Sequence, residues 1–534
     1  MELNRRDFLK GTSAVAAATV AAGAFSGAAF ADEAVAEPAG YEGLFAESRV
    51  ILGDIPEDQY IASYDYDLVV IGAGTSGVTA ATIAAEKGVG KVAVLQNFGL
   101  AISQGNMGSG LIREESDELA LQRFKQAWNE LYHYSNDQNL IDNYLLYSGD
   151  AAMFIAEKAQ EGGIPAQNFM MADDIIDYGE DGKVCSRRVF FMDKPVTYAE
   201  GMQAIATLGP KMGIDYYYNT PGCKVLQDES GAVIGAVGMS DDGLIRFNAP
   251  KVILTCGCFA NNQAMLKRYC PDALGFLAKV GDRRGDGHLM AIAAGGHLSN
   301  GSYAKMIHDN DAGPMQDVPF LGVNDNGERF MNEDVDSILW NDVVRDQPNK
   351  RFTSVWDANF QEIASKAGGR PFSIEQLPAY QPGTPESEAK GVYGNFVATY
   401  TADTLEELAE QVGIPAETFV ATVERYNEIA ASGVDTDFGK KSKWLAPIDT
   451  PPFFAAHRWP RLSTILSGVD VDKYMRVLTA EGEVIPGLYA AGNCGGRPAS
   501  GAGDWLQVSL GESLGFAFTG GYVAGMHAAG AIGE

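Results

Sequence analysis

What this chain lacks narrows its chemistry before any motif is read. Its 534 residues hold only six histidines, and His288, His297 and His457 show no metal-ligand spacing. The six cysteines (Cys185, Cys223, Cys256, Cys258, Cys270 and Cys494) contain no C-x-x-C pair, so neither a metal cluster nor a disulfide framework is indicated. No C-x-x-C-H occurs, so covalent c-type haem attachment is not expected. Basic residues are scarce: 40 Lys and Arg stand against 70 Asp and Glu, a formal net charge of -30. That balance argues against nucleic acid and against docking on anionic lipid, since both need a basic surface. Internal repeats and low-complexity tracts are missing beyond the N-terminal segment.

What is present begins with a targeting signal. Arg5 and Arg6 are followed by Asp7, Phe8, Leu9 and Lys10, the R-R-x-F-L-K pattern of twin-arginine export. The apolar run after it is too rich in Ala and Gly for stable membrane insertion. Ala29-Phe30-Ala31 offers an A-x-A cleavage site, which gives residues 1–31 as signal peptide and Asp32 as the expected mature start. The expected location is the periplasm or the outer face of the cytoplasmic membrane. This route carries proteins already folded, often around a cofactor. Residues 32–62 are aperiodic and read as a linker and entry to the fold.

From Tyr66 the register changes to "YDLVVIGAGTSGVTAATIAAEKGVGKVAVLQN": strand, glycine turn, Ala-rich helix, strand. The run "DLVVIG" is continuously apolar, as a parallel strand buried on both faces requires. Gly72-Ala73-Gly74-Thr75-Ser76-Gly77 is G-x-G-x-x-G between that strand and the helix. Gly72 permits the tight turn, Gly74 lets a pyrophosphate approach the backbone, and Gly77 lets helix and strand pack closely. The helix N-terminus then faces the phosphate charge. The next strand ends in Gln96 where an acid usually holds the ribose; its amide can accept from one hydroxyl and donate to another. Elsewhere Ser116 is a plausible N-cap for the helix beginning "SDELALQ", and "VIPGLYAAGN" reads as another buried strand and turn. Thr404 with Glu407 forms a capping box closed by Gly413, and a second helix stops at Gly433.

These segments, taken in order, resemble the flavoprotein subunit family of fumarate reductase and succinate dehydrogenase, within a wider group that includes 3-ketosteroid dehydrogenases. The resemblance runs from residue 66 to about 530. "SQGNMGSG" is similar to the segment that follows the isoalloxazine ring in that family, implicating Gln104, Gly105, Asn106 and Gly110. "VILTCGCFANN" resembles its A-T-G-G-F turn, with Cys256 and Cys258 in place of small residues. "GDGHLMAIAAGG" implies an FAD contact from Asp286, and "PGLYAAGN" one from Asn493. Ser513 and Leu514 resemble the last FAD contact, and Val225 belongs to the implied cofactor set. The resemblance implies an α/β protein: a Rossmann-like FAD-binding domain with a parallel sheet (63–305 and 452–534) and an inserted α+β capping domain (306–451). It implies FAD and no metal.

The resemblance breaks at the substrate. Three positions where the family grips a dicarboxylate with cationic groups fall on Ser337, Thr464 and Val508, all neutral. A dicarboxylate needs cationic clamps, so a less charged activated alkene is expected: an enone, an aryl acrylate or a steroid-like enone. Candidate proton donors are Arg329, Arg497, Tyr303 and His308, with Arg329 also able to pair with Glu333 and Arg497 with Asp504. The loop 494–510, with Arg497, Asp504, Trp505 and Gln507, is where substrate identity is expected to be written. The expected function is reduction of an activated C=C bond by hydride from flavin N5, with electrons from a separate cytochrome, quinol-linked or flavoprotein donor. The alternatives are a 3-ketosteroid-type desaturase and, in a different class, a degenerate flavoprotein that only binds or passes electrons.

Overall fold

The computed structural model describes residues 35–105, 107–165, 169–191, 198–299, 301, 303–307, 318–335, 339–366, 374–390, 398–499 and 505–533. The signal segment, Asn106, His308, Ser337 and Asp504 lie outside them. The fold is mixed α/β and divides into two compact units.

The larger unit takes in Ala22–Leu274, Val280–Lys305 and Thr464–Glu534. Its centre is a six-stranded sheet whose strands, in chain order, are β1 (Leu68–Ile71), β2 (Val92–Leu95), β3 (Ile214–Tyr217), β4 (Val252–Leu254), β5 (Arg476–Leu478) and β6 (Val484–Ala490). Their spatial order is β5-β6-β4-β1-β2-β3, with every neighbour parallel except the edge pair β5–β6. All four residues of β1 and of β2 are buried, which is why both segments read as unbroken apolar runs. Helix α1 (Thr75–Glu86) leaves the turn after β1, and α2 (Gln138–Glu161), α3 (Asp286–Ala293) and α4 (Glu512–Ala528) pack in the same unit. Glycine decides how closely they pack. A Cβ on Gly521 of α4 would lie 2.2 Å from the Ser76 carbonyl oxygen, and one on Gly525 would lie 2.5 Å from that of Ala80.

Residues 44–51 are not a linker. Leu44, Phe45, Val50 and Ile51 are buried, and the Ile51 amide donates to the Cys223 carbonyl at 3.0 Å. Ser116 does not cap its helix; Asp117 holds that position, and the Ser116 hydroxyl donates to the Ile112 carbonyl at 2.7 Å.

The smaller unit comprises Gly275–Lys279 and Met306–Ser463 among the described residues. Its antiparallel sheet places Phe352–Trp356 between Leu321–Val323 and Phe453–Arg458, with Thr399–Ala402 at the far edge. The strand Phe453–Arg458 therefore falls in this unit, beyond the boundary at 451 drawn from sequence. Two helices cover the sheet. Thr404 caps the first by accepting from the Glu407 amide at 3.2 Å, and both helices end on left-handed glycines, Gly413 and Gly433, as expected.

Arg329 sits in this unit within a closed buried ionic network. Its guanidinium donates to Glu333 (Nε to Oε1 3.0 Å, Nη2 to Oε2 2.9 Å) and to Asp435 (Nη1 to Oδ1 3.1 Å, Nη2 to Oδ2 2.8 Å). Lys440 adds a second cation 3.4 Å from Glu333 and donates to the Tyr426 hydroxyl at 2.8 Å. Burial opposes its charge, but these two carboxylates outweigh that and hold Arg329 above its ordinary value, so its protons are held more firmly than usual. This geometry argues against Arg329 as proton donor: its nitrogens are spent on structure. For Asp435, burial opposes ionisation, but Arg329 and the backbone amides of Lys440 and Phe438 hold its carboxyl well below the usual range.

Replacing Asp435 by Ala strands a buried cation and should cost about 3–5 kcal/mol in urea unfolding near neutrality. Because the folded carboxyl is depressed, the contribution is complete above the unfolded value of about 4 and fades as pH falls below it. The gap between wild type and variant should narrow below about pH 4.

Candidate active site

The carboxyl ends of β1, β2 and β4 open on a cleft in the larger unit lined by Gly72, Gly74, Gln96, Thr255, Arg283 and Asp286, among others. The first glycine of the turn has φ +110°, and a Cβ on it would lie 2.5 Å from the Thr255 carbonyl oxygen. Gly77 is tighter still: a Cβ there would be 1.8 Å from the Gly72 carbonyl oxygen. Gly74, by contrast, has no atom within 4 Å of where a side chain would start. A backbone left open at the amino end of a helix suits a pyrophosphate. Thr75 Oγ1 lies 2.7 Å from Ser103 Oγ, which ties α1 to the segment carrying Gln104 and Gly105; Ser76 is buried and its hydroxyl has no partner.

Gln96 departs from expectation. Its Oε1 accepts from the amides of Asn97 (3.2 Å) and Ala73 (3.4 Å), and its Nε2 donates to the Leu100 carbonyl at 3.0 Å. Both acceptor positions are used by backbone, so only one N–H remains to offer a ribose. Asp286 is likewise engaged: Arg49 donates to it from the backbone at 2.9 Å and from Nη1 at 2.8 Å. Arg49 also pairs with Asp282, which takes Arg284 Nε at 2.8 Å and Asn97 Nδ2 at 3.1 Å. Sequence reading missed Arg49, Arg283 and Arg284, although "DRRGDG" displays two of them. Of these, Arg283 and Arg284 line the cleft, beside Asp282 and Asp286. The open turn, the helix terminus and these arginines together fit the diphosphate of FAD.

Two other residues of the expected cofactor set have packing roles. Gly110 lies where a strand crosses α2, with the Ser148 carbonyl oxygen 2.1 Å from its would-be Cβ; it serves close packing. Val225 is buried in a strand opposite Ala236, and Pro221 and Gly222 line the cleft instead.

A second cavity in the same unit brings Asn493 and Ser513 together, with Leu466, Pro498 and Phe516. Asn493 Nδ2 donates to Thr464 Oγ1 at 2.7 Å. Leu514 is buried, its Cδ1 3.1 Å from where a Cβ on Gly105 would stand. Beside Val508, sequence reading missed Glu512. This fully buried carboxylate accepts from the amides of Val508 (2.9 Å) and Ser509 (2.8 Å) and the Ser509 hydroxyl (3.1 Å). Burial pushes it up to about 8, against the pull of those donors.

Arg497 and Tyr303 come together around Asp470. Arg497 Nη2 lies 3.7 Å from Asp470 Oδ1, and Asp470 also meets His297 Nδ1 at 2.7 Å and Ser299 Oγ at 3.3 Å. Asp137, whose amide donates to the Arg497 carbonyl at 2.9 Å, is pushed up to about 6 by burial. Tyr303 is buried and donates its hydroxyl to the Ser299 carbonyl, while burial raises it far above the ordinary phenol. Its proton is already committed, which argues against a donor role. Trp505 packs on Trp128 with centroids 5.3 Å apart, so this part of the loop is core.

A glycine turn at the carboxyl edge of a parallel sheet, with an open cleft beyond it, defines a dinucleotide-binding fold. A family model described as FAD binding domain matches residues 67–503, and one for the twin-arginine translocation signal matches residues 2–23. A cytochrome-type fumarate reductase of Shewanella frigidimarina is 26% identical over 477 residues, covering 84% of this chain and 74% of that protein. A vinyl phenol reductase of Lactiplantibacillus plantarum is 24% identical over 509 residues, covering 88% and 97%. Among solved structures, the open form of a flavocytochrome c3 fumarate reductase matches with TM-score 0.66 at 21% identity, covering 88% of this chain and 79% of its own. A 3-ketosteroid-Δ4-(5α)-dehydrogenase from Rhodococcus jostii RHA1 matches at TM-score 0.58 and 24% identity, covering 87% and 97%. The chain therefore belongs to the FAD binding domain family. It is an FAD-dependent oxidoreductase acting on CH–CH groups and carries a twin-arginine export signal. No helix among the described residues is long and apolar enough to cross a membrane.

With Glu512 raised to about 8, the folded state keeps a proton that the unfolded chain releases near pH 4.3. Stability should fall as pH rises from about 4.5 to 8 on account of this group. Urea midpoints of Glu512→Gln should lose that decline; an unchanged slope would mean Glu512 ionises normally.

Proposed function

We propose that this protein is an exported reductase that saturates a C=C bond activated by a carbonyl in a substrate less charged than a dicarboxylate, such as an enone or aryl acrylate. The observation that carries this reading is at the closing helix. Where the resemblance calls for a cationic group at Val508, the neighbouring group is the buried carboxyl of Glu512, which accepts from two amides and a hydroxyl. A second anion brought there would meet an acid instead of a clamp. Thr464, the next such position, is paired with Asn493 and carries no charge.

FAD, when bound, supplies the hydride. The chain has to hold the alkene, exclude water and give a proton to the second carbon. Among the proton donors weighed, Arg497 best suits that task. Its side chain is about a third exposed, and Asp470, anchored by His297 and Ser299, orients it. Gln104, Gly105, Asn493, Ser513 and Leu514 are proposed to flank the flavin, and Gly72 to Gly77 with Asp286 to hold its diphosphate end. The likeness to a cytochrome-type fumarate reductase supports an electron donor carried by a separate partner.

A desaturase reading is favoured by one fact: the neutral Thr464 and Val508 would suit a steroid-like enone equally well, and the chain shares its fold with a ketosteroid dehydrogenase. Anaerobic reoxidation separates them. The dithionite-reduced holoenzyme should be reoxidised by an enone or aryl acrylate at least tenfold faster than by fumarate. Reoxidation by fumarate alone, or by no alkene, overturns the proposal. Arg497→Ala should lower kcat by about a hundredfold or more with FAD content unchanged; wild-type turnover would exclude it as donor.

A further inference from the structure

Two thiols far apart in sequence meet at the edge of the proposed FAD cleft. Cys256 follows β4 and Cys494 follows β6, and β4 and β6 are adjacent parallel strands with Leu254 opposite Ala490. The strands thus deliver both cysteines to the carboxyl edge of the sheet. Gly287 of α3 makes room for them: a Cβ on that glycine would lie 2.7 Å from Cys494 Sγ and 3.2 Å from Cys256 Sγ. Both sulfurs therefore sit within a short reach of one point. The nearness of Cys494 is the largest reason, ahead of burial, that Cys256 is raised well above an ordinary thiol. Cys258, one residue beyond Gly257, has another neighbour: its proximity helps raise Cys270. Each thiol of the pair currently donates to a backbone carbonyl, Cys256 to Ile71 at 3.3 Å and Cys494 to Gly257 at 3.2 Å. Cys256 also lines the cleft and is partly exposed.

We propose that Cys256 and Cys494 are the site of a disulfide formed after export, which fastens the ends of β4 and β6 around the bound cofactor. The reaction is thiol–disulfide exchange with a disulfide oxidant of the compartment outside the cytoplasm. One thiolate attacks the oxidant to form a mixed disulfide and release one thiol; the second thiolate attacks that bond and displaces the oxidant's remaining thiol. The two cysteine thiols lose two protons and two electrons, and the oxidant leaves as two thiols. In the cytoplasm the pair stays reduced, because the glutathione and thioredoxin pools there keep thiols reduced. The twin-arginine signal then carries the folded chain to where such oxidants persist.

The test uses holoenzyme prepared in reductant, exchanged anaerobically and incubated at pH 8.5 with oxidised glutathione or with buffer. After unfolding with a maleimide label, the buffer sample should show six labelled cysteines, and the oxidised sample should lack label at Cys256 and Cys494 alone, with one peptide joining them. FAD release, followed by fluorescence, should slow at least tenfold on oxidation and recover with dithiothreitol. Cys494→Ser should show no such change, whereas Cys270→Ser should retain it. Six labelled thiols after oxidation, or a crosslink between other cysteines, overturns the proposed pair. A crosslink that leaves FAD release unchanged overturns its role as a clasp. Wild-type enzyme with and without reductant supplies the answer even if a variant fails to fold.

Discussion

Everything in the larger unit depends on three parallel strands that the chain reaches at widely separated times. β1, β4 and β6 lie side by side, drawn from its beginning, middle and end. Parallel neighbours cannot be joined by a tight turn, so every connection must leave the sheet and return. The chain uses those excursions productively. All three strands run the same way, so the three following turns arrive at one edge, where glycines, arginines and thiols are concentrated. The smaller unit is itself one such excursion, between β4 and β6.

Packing and charge are handled by opposite means in the two units. In the larger one, backbone approaches backbone: α4 lies on α1 through glycines whose carbonyl contacts would admit no side chain. That closeness is bought with glycine's greater loss of freedom on folding. In the smaller one, Arg329, Glu333, Asp435 and Lys440 bury two charges of each sign, which balance only as a set. The chain is strongly acidic overall, yet Arg283 and Arg284 line the cleft beside Asp282 and Asp286, with Arg49 paired to both aspartates.

Much of this was legible in the amino-acid sequence because it obeys short-range rules. The glycine turn, the unbroken apolar strands, the Thr404 cap and the glycine stops at Gly413 and Gly433 each answer to neighbours a few residues away. The failures have the opposite character. Gln96 occupies the expected position, but its amide is consumed by backbone groups that no spacing rule reveals. Arg49 sits in a stretch that looked like linker, and its worth depends on Asp286, far along the chain. Arg329 lies in a motif that suggests chemistry, but Asp435, which helps immobilise it, is over a hundred residues away. Ser116 was displaced as a cap by its neighbour Asp117 and spends its hydroxyl on Ile112. In the closing loop, Trp505 serves the core, whereas Arg497 keeps its exposure beside Asp470.

The placement of β6 also sets a schedule. The glycine turn after β1 is among the first parts of the fold to leave the ribosome, but β4, which pairs with β1 on one side, lacks its second neighbour until residues 484–490 have been made. The helix whose glycines press on α1 emerges later still. A nascent chain can therefore display its nucleotide fingerprint long before it can enclose a nucleotide. An export route that moves finished proteins suits such a topology. A signal made first must wait on a strand made near the end.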